Sequence, residues 1–173
     1  TTLNAIGSYS ESLSDNNSYE SGFSNNKRTF PYRISELGVL EGTQIIKSTP
    51  FGNTYTIDFS IASIINEDLG KDQYTDFLTI GFATPGFVFE LFGLHSIELE
   101  DIYLRLDKDI AHLLEFIDDY LGKDNALIIV TSDRGAADNP KYSKEIGMPV
   151  GKFNPELAIS LTESYLKASY GQS

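Results

Sequence analysis

The chain contains no cysteine, which removes disulfides, thiolate metal ligands and a cysteine nucleophile while leaving the compartment open. It has two histidines, and its 13 Lys plus Arg stand against 25 Asp plus Glu, for a net charge of −12. That balance excludes nucleic acid or an anionic membrane held on a broad basic face; an acidic surface of this kind chiefly keeps a domain soluble. No apolar run approaches the roughly 18 residues a membrane span requires. GxSxG, P-loop and GxGxxG patterns are absent, so a nucleophile elbow or a nucleotide cradle lacks support. Neither an internal repeat nor a second-domain linker is visible. The chain opens on Thr1-Thr2-Leu3-Asn4 without an initiator Met or a charged-then-apolar leader, and the expectation is a processed chain or an excised piece.

With 173 residues and 40% apolar content, the chain can build the core of one domain. Two apolar runs organise it. Asp76 to Phe82 leads into Ala83-Thr84-Pro85-Gly86, and Ala126-Leu127-Ile128-Ile129-Val130-Thr131 leads into Ser132-Asp133-Arg134-Gly135. Each reads as a buried strand ending in a polar, Gly-containing turn. Between them Leu99, Ile102, Leu106, Ile110, Leu113, Ile117 and Leu121 fall 3, 4, 4, 3, 4 and 4 apart, which predicts one helix of about 25 residues. Ser96 is its N-cap, Glu98, Glu100 and Asp101 suit its positive start, and Gly122 ends it. Strand, crossover helix and strand make a parallel-sheet unit, whose ligand chemistry lies beyond the carboxyl ends of the strands.

The rest of the chain is read around that unit. Residues 1 to 26, of which 12 are Ser or Asn, predict irregular surface structure. A short strand is expected around Gln44-Ile45-Ile46 and a turn at Ser48 to Asn53. A helix is predicted from about Thr54 to Leu69, with Gly70 placed to stop it in the left-handed conformation. Ala136 to Lys152 reads as loop. Asn154-Pro155-Glu156 starts a last helix, with Leu157, Leu161, Tyr165 and Ala168 on one face. The expected fold is α/β: a parallel-sheet core with flanking helices over residues 54–173, preceded by an irregular, cap-like segment over 1–53.

Few residues are candidates for chemistry. His112 lies beside the apolar stripe of the long helix and is most simply a boundary residue. His95, in the turn before that helix, is nearer the strand ends but has no ligand-type partner at helical spacing. Asp133 follows a strand at its carboxyl end. It either projects into the crevice, where a metal or substrate would sit, or caps the turn by accepting from nearby N–H groups.

Thr84-Pro85-Gly86-Phe87-Val88-Phe89-Glu90-Leu91-Phe92-Gly93, continuing through His95 to Asp107, together with Thr131-Ser132-Asp133-Arg134-Gly135-Ala136, resembles the alkaline phosphatase superfamily. The nearest branch is that of bacterial monomeric alkaline phosphatases and type I phosphodiesterase/nucleotide pyrophosphatases. The likeness extends upstream through Thr49-Pro50-Phe51-Gly52-Asn53 and downstream into Gly151-Lys152-Phe153 and the last helix. What the resemblance implies is a two-zinc hydrolase of phosphate esters, exported and periplasmic, in which the metals activate a Thr or Ser nucleophile and stabilise the leaving oxygen. The family's first turn supplies an Asp and a His to one zinc, at positions held here by Gly86 and Glu90. Its second turn supplies an Asp and a His to the other, at Asp133 and Arg134. Glu90 offers an oxygen, Gly86 offers no side chain, and Arg134 sets a permanent cation where a dication should sit.

The lost ligation and the repulsion should remove several of the roughly 10 to 16 kcal/mol that a tight zinc site supplies. No cofactor is therefore expected. Asp133 and Glu90 remain as a metal-binding remnant, and Arg134 either pairs with Asp133 or Glu90, the favoured alternative, or binds a phosphate or other anion. The nucleophile and the remaining ligands find no candidates in this chain. The leading expectation is a degenerate, non-catalytic member or part of a member, with a binding or structural role toward the remainder of a larger chain or a protein partner. The alternative is an active phosphomonoesterase or phosphodiesterase whose missing groups lie elsewhere, in which case zinc is its cofactor.

Overall fold

A computed structural model describes residues 9–24, 26–133, 135–151 and 153–171. Its helices are α1 (Ile34–Glu41), α2 (Pro50–Asn66), α3 (Thr84–Phe92), α4 (Ile97–Leu121), α5 (Pro140–Glu145) and α6 (Pro155–Tyr170), with a 3-10 segment over Gly42–Ser48. The chain divides into two compact units, Thr1–Asn139 and Pro140–Ser173. None of the helices is long and apolar enough to cross a membrane, the described residues alone being considered.

In the first unit α4 follows its sequence pattern closely. Ser96 Oγ accepts from Leu99 N at 3.2 Å, supplying one of the donors that a helix start leaves unpaired. Leu99, Ile102, Leu106 and Leu113 are buried along one face, and Gly122 ends the helix at a φ of 86°. The upper half of that face joins Phe23, Tyr32, Leu37, Ile45, Val88 and Phe92 in one core cluster. The lower half brings Leu113 against Ile57 and Ile64 of α2, with Ile80 and Phe82 packed onto them.

Several expectations about local elements are corrected in this unit. The helix foreseen from Thr54 begins at Pro50, because Pro fits the first helical position and Thr49 enters it in extended geometry. Its last helical residue is Asn66, and Gly70 takes the left-handed φ of 74° four residues beyond. Gln44-Ile45-Ile46 lies in the 3-10 segment and not in a strand, with Ile45 turned into the core. The turn foreseen at Thr84 to Glu90 is helix α3: Pro85 sits in its first turn, and Val88 and Phe92, four apart, both face the core.

The strands near 76–82 and 126–131 are not formed. Among the described residues no strand is assigned and no backbone ladder joins the two segments. Apolar content makes a strand only where another strand accepts its N–H and C=O groups. Without such a partner Phe77 is 90% exposed and Leu127 87%, while Ile80 and Phe82 shelter one side of the first segment against α2 and α4.

In the second unit α5 occupies part of the stretch read as loop. In α6, Asn154 Oδ1 accepts from Leu157 N at 3.1 Å, as the cap signal foretold, and Gly171 closes the helix in the left-handed region. Leu157, Leu161 and Tyr165 of its apolar face are exposed.

Ile57 is 1% exposed and Leu113 6%. Ile57→Ala and Leu113→Ala should each lower unfolding free energy by about 2–5 kcal/mol, against about 0.5–2 for Ser96→Ala. Denaturant melts of the three variants check the order.

Candidate functional site

Gly86 and Glu90 lie four residues apart on α3 and therefore share a helix face. Gly86 is half-buried in the first turn, its N–H donating to Ala83 O at 3.1 Å, and Glu90 is exposed. Asp133 is exposed after the second apolar segment. Arg134 lies outside the described residues, so neither its ion pair nor its anion-binding alternative is placed. Among the described residues no group of three or more His, Asp or Glu side chains converges as a metal would need. The donor set at these positions, a glycine and two exposed carboxylates, does not fit a zinc pair, which wants imidazole and carboxylate ligands closing on one point.

An open groove of about 320 Å³ flanks the start of α3, lined by residues that include Lys47, Gly52, Tyr55, Thr84 and Phe87. Lys47 Nζ stands 4.7 Å from the centre of the Phe87 ring. Gly52 lets α2 approach this turn, since a Cβ there would meet Thr84 Oγ1 at 2.6 Å and Ile46 O at 2.9 Å.

His95 has a partner that helical spacing does not reveal. Its Nε2 lies 2.8 Å from Asp138 Oδ1, both side chains being about two-thirds buried, and its carbonyl accepts from Leu13 N at 2.8 Å. His95 thus links the α3–α4 connection, the N-terminal segment and the loop after Asp133. The available signal was topological: both loops follow apolar runs of one β-α-β reading, which sets them at the same end.

A second concentration of titratable groups lies at the start of α4 and was not foreseen. Glu98, 5% exposed, accepts from the Tyr32 hydroxyl. Burial pushes the Glu98 carboxyl up to about 8, with the charges of Glu20 and Asp15 adding to the effect against the hydrogen bond from Tyr32. Burial likewise raises Asp15 and Glu20 and, with Glu98 beside it, Tyr32. Glu100 behaves oppositely. Burial would raise it, but bonds donated from Ser10, Glu11 and Ser12 outweigh that and hold it below the usual range. The N–H groups of Ser10 and Ser12 each reach a Glu100 oxygen at 2.9 Å, and Tyr9 Oη donates to Asp101 Oδ1 at 2.7 Å.

Residues 14–158 match the family model described as type I phosphodiesterase / nucleotide pyrophosphatase. The chain is 44% identical over 144 residues to a protein of Myroides odoratus named calcium-transporting ATPase, covering 82% of this chain and 26% of that one. It is 37% identical over 171 residues to alkaline phosphatase PafA of Elizabethkingia meningoseptica, covering 98% and 31% respectively. The crystal structure of wild-type PafA superimposes with a TM-score of 0.87 at 36% identity, over 99% of this chain and 32% of that one. The chain thus spans about a quarter to a third of the length of the relatives it matches.

Asp138→Asn keeps an acceptor facing His95 and should cost at most about 1 kcal/mol, as for partly exposed pairs. Asp138→Leu removes that acceptor from the largely buried His95 ring and should cost about 1–3 kcal/mol. Paired denaturant melts distinguish the two.

Proposed function

Because the chain belongs to the type I phosphodiesterase/nucleotide pyrophosphatase family of the alkaline phosphatase superfamily, we propose that it is a degenerate, non-catalytic representative of that fold with a binding or structural role. The observation that carries the reading is the residue exchange at the ligand positions: Gly86 where a carboxylate is needed and Arg134 where an imidazole is needed. Asp133 is the one position that keeps its ligand type, and Glu90 substitutes an oxygen for a nitrogen. No hydrolytic step follows from this chain's own residues.

The exposed apolar faces at 76–82 and 126–131 suit the interior of a sheet. In this reading they are parallel strands that the remainder of a larger chain, or a protein partner, covers and pairs. Exposure of Phe77 and Leu127 supports that placement. Arg134 is then a structural cation paired with Asp133 or Glu90, or a seat for a phosphate or other anion. Family membership carries the expectation of an exported, periplasmic protein.

The rival reading, an active phosphatase completed by groups outside this chain, draws on the retained Asp133. The two separate on the combined variant Gly86→Asp, Glu90→His, Arg134→His. A non-catalytic parent shows no chelator-sensitive hydrolysis of p-nitrophenyl phosphate, and the variant gains zinc affinity from a baseline of none. An active parent shows chelator-sensitive turnover beforehand, which the variant raises modestly; that outcome sinks the proposal.

A further inference from the structure

The described part of the N-terminal segment, residues 9–24 and 26–33, runs as an irregular strap over the start of α4 and supplies Phe23 and Tyr32 to the core beneath it. Three carboxylates lie under the strap. Glu98 comes from α4, and Asp15 and Glu20 from the strap itself. Glu98 and Glu20 are 5% and 3% exposed. Each of the three keeps one buried oxygen without a donor: Glu98 Oε2, Glu20 Oε2 and Asp15 Oδ1. The other oxygens are engaged, by the Tyr32 hydroxyl on Glu98, Asn17 Nδ2 on Glu20 and Phe30 N on Asp15.

Asp15 and Glu98 face each other closely enough that each perturbs the ionisation of the other. Both are acceptors while ionised, so they repel, and a single proton on either turns that repulsion into a donor-acceptor interaction. The positive groups facing the cluster, Lys27 near Asp15 and Arg28 near Glu20, both belong to the strap. α4 adds the neighbouring Asp101, which is occupied by Tyr9 and by Arg105. No group of these residues converges closely enough for a metal ion among the described residues, which leaves the proton as the particle the cluster takes up.

We propose that the strap is a proton-held clamp: a proton shared between Asp15 and Glu98 fastens the strap to α4, and its loss to solvent as pH rises releases the strap and uncovers Val88 and Phe92. The direction follows from linkage. The clamped state keeps a proton that the released state gives up above the ordinary carboxylate range, so clamping is strongest below that range, weakens steadily as pH rises from there, and has lost the proton's contribution once pH passes the folded-state value of Glu98, about 8. Release is local, because α2 and the lower half of α4 form a separate cluster around Ile57, Ile64 and Leu113.

Hydrogen exchange followed by mass spectrometry from pH 6.5 to 9.5, corrected for intrinsic rates, tests the clamp. Peptides within 9–33 should exchange at least tenfold faster above pH 8, while peptides of α2 stay protected. Glu98→Gln retains an acceptor for Tyr32 but cannot ionise, and should abolish the transition. Asp15→Asn should do the same, and serves as the second variant if the first folds poorly. Unchanged protection of the strap across the range overturns the proposal. So does a transition that survives in the variants, or one that α2 shares at the same pH.

Discussion

The first two turns of α4 hold the first unit together, and they do so with two kinds of interaction on adjacent residues. Leu99 and Ile102 enter the core, where burial of each is worth about 1.5–3 kcal/mol. Glu98, Glu100 and Asp101, between and beside them, turn to the N-terminal segment and accept from Tyr32, from the backbone of Ser10 and Ser12, and from Tyr9. Charge near a helix N-terminus is favoured by the helix dipole, and Glu100, which its backbone donors hold below the usual carboxylate range, serves the dipole and the strap at once. Without that turn the strap has few anchors, and Phe23 and Tyr32 would leave Val88 and Phe92 uncovered.

The same turn is set beside the altered ligand positions by His95 and Ser96, which end one connection and begin α4. α3 keeps the geometry on which two metal ligands four residues apart would stand, and offers from it a glycine and a glutamate. Zinc sites tolerate one weak donor better than they tolerate a missing ligand and an adjacent guanidinium. In the proposed reading the helix stays while the donor chemistry goes, as in a scaffold retained for the surfaces it presents.

Helix ends were legible in the sequence because their signals are local. Ser96, Gly122 and Asn154 each act within one turn, and α4 repeats its apolar residues seven times at helical spacing. The sheet was legible as pattern and is not formed among the described residues, since the runs at 76–82 and 126–131 announce burial without carrying their own hydrogen-bond partners. Pro85 was a start signal for α3 that the likeness to a turn obscured. The contacts of Glu98 with Asp15, Glu20 and Tyr32 join residues far apart in an irregular segment, where no periodicity indicates which side chains meet. At the ligand positions the residue types were readable directly, and the geometry adds that Gly86 and Glu90 share a helix face.

The central claim is that Gly86, Glu90 and Arg134 have removed the capacity for a dinuclear zinc site. The most direct measurement is metal content by plasma mass spectrometry after zinc loading and exhaustive dialysis. The account predicts zinc far below one equivalent per chain. Two equivalents retained through dialysis and released only by chelator would contradict it.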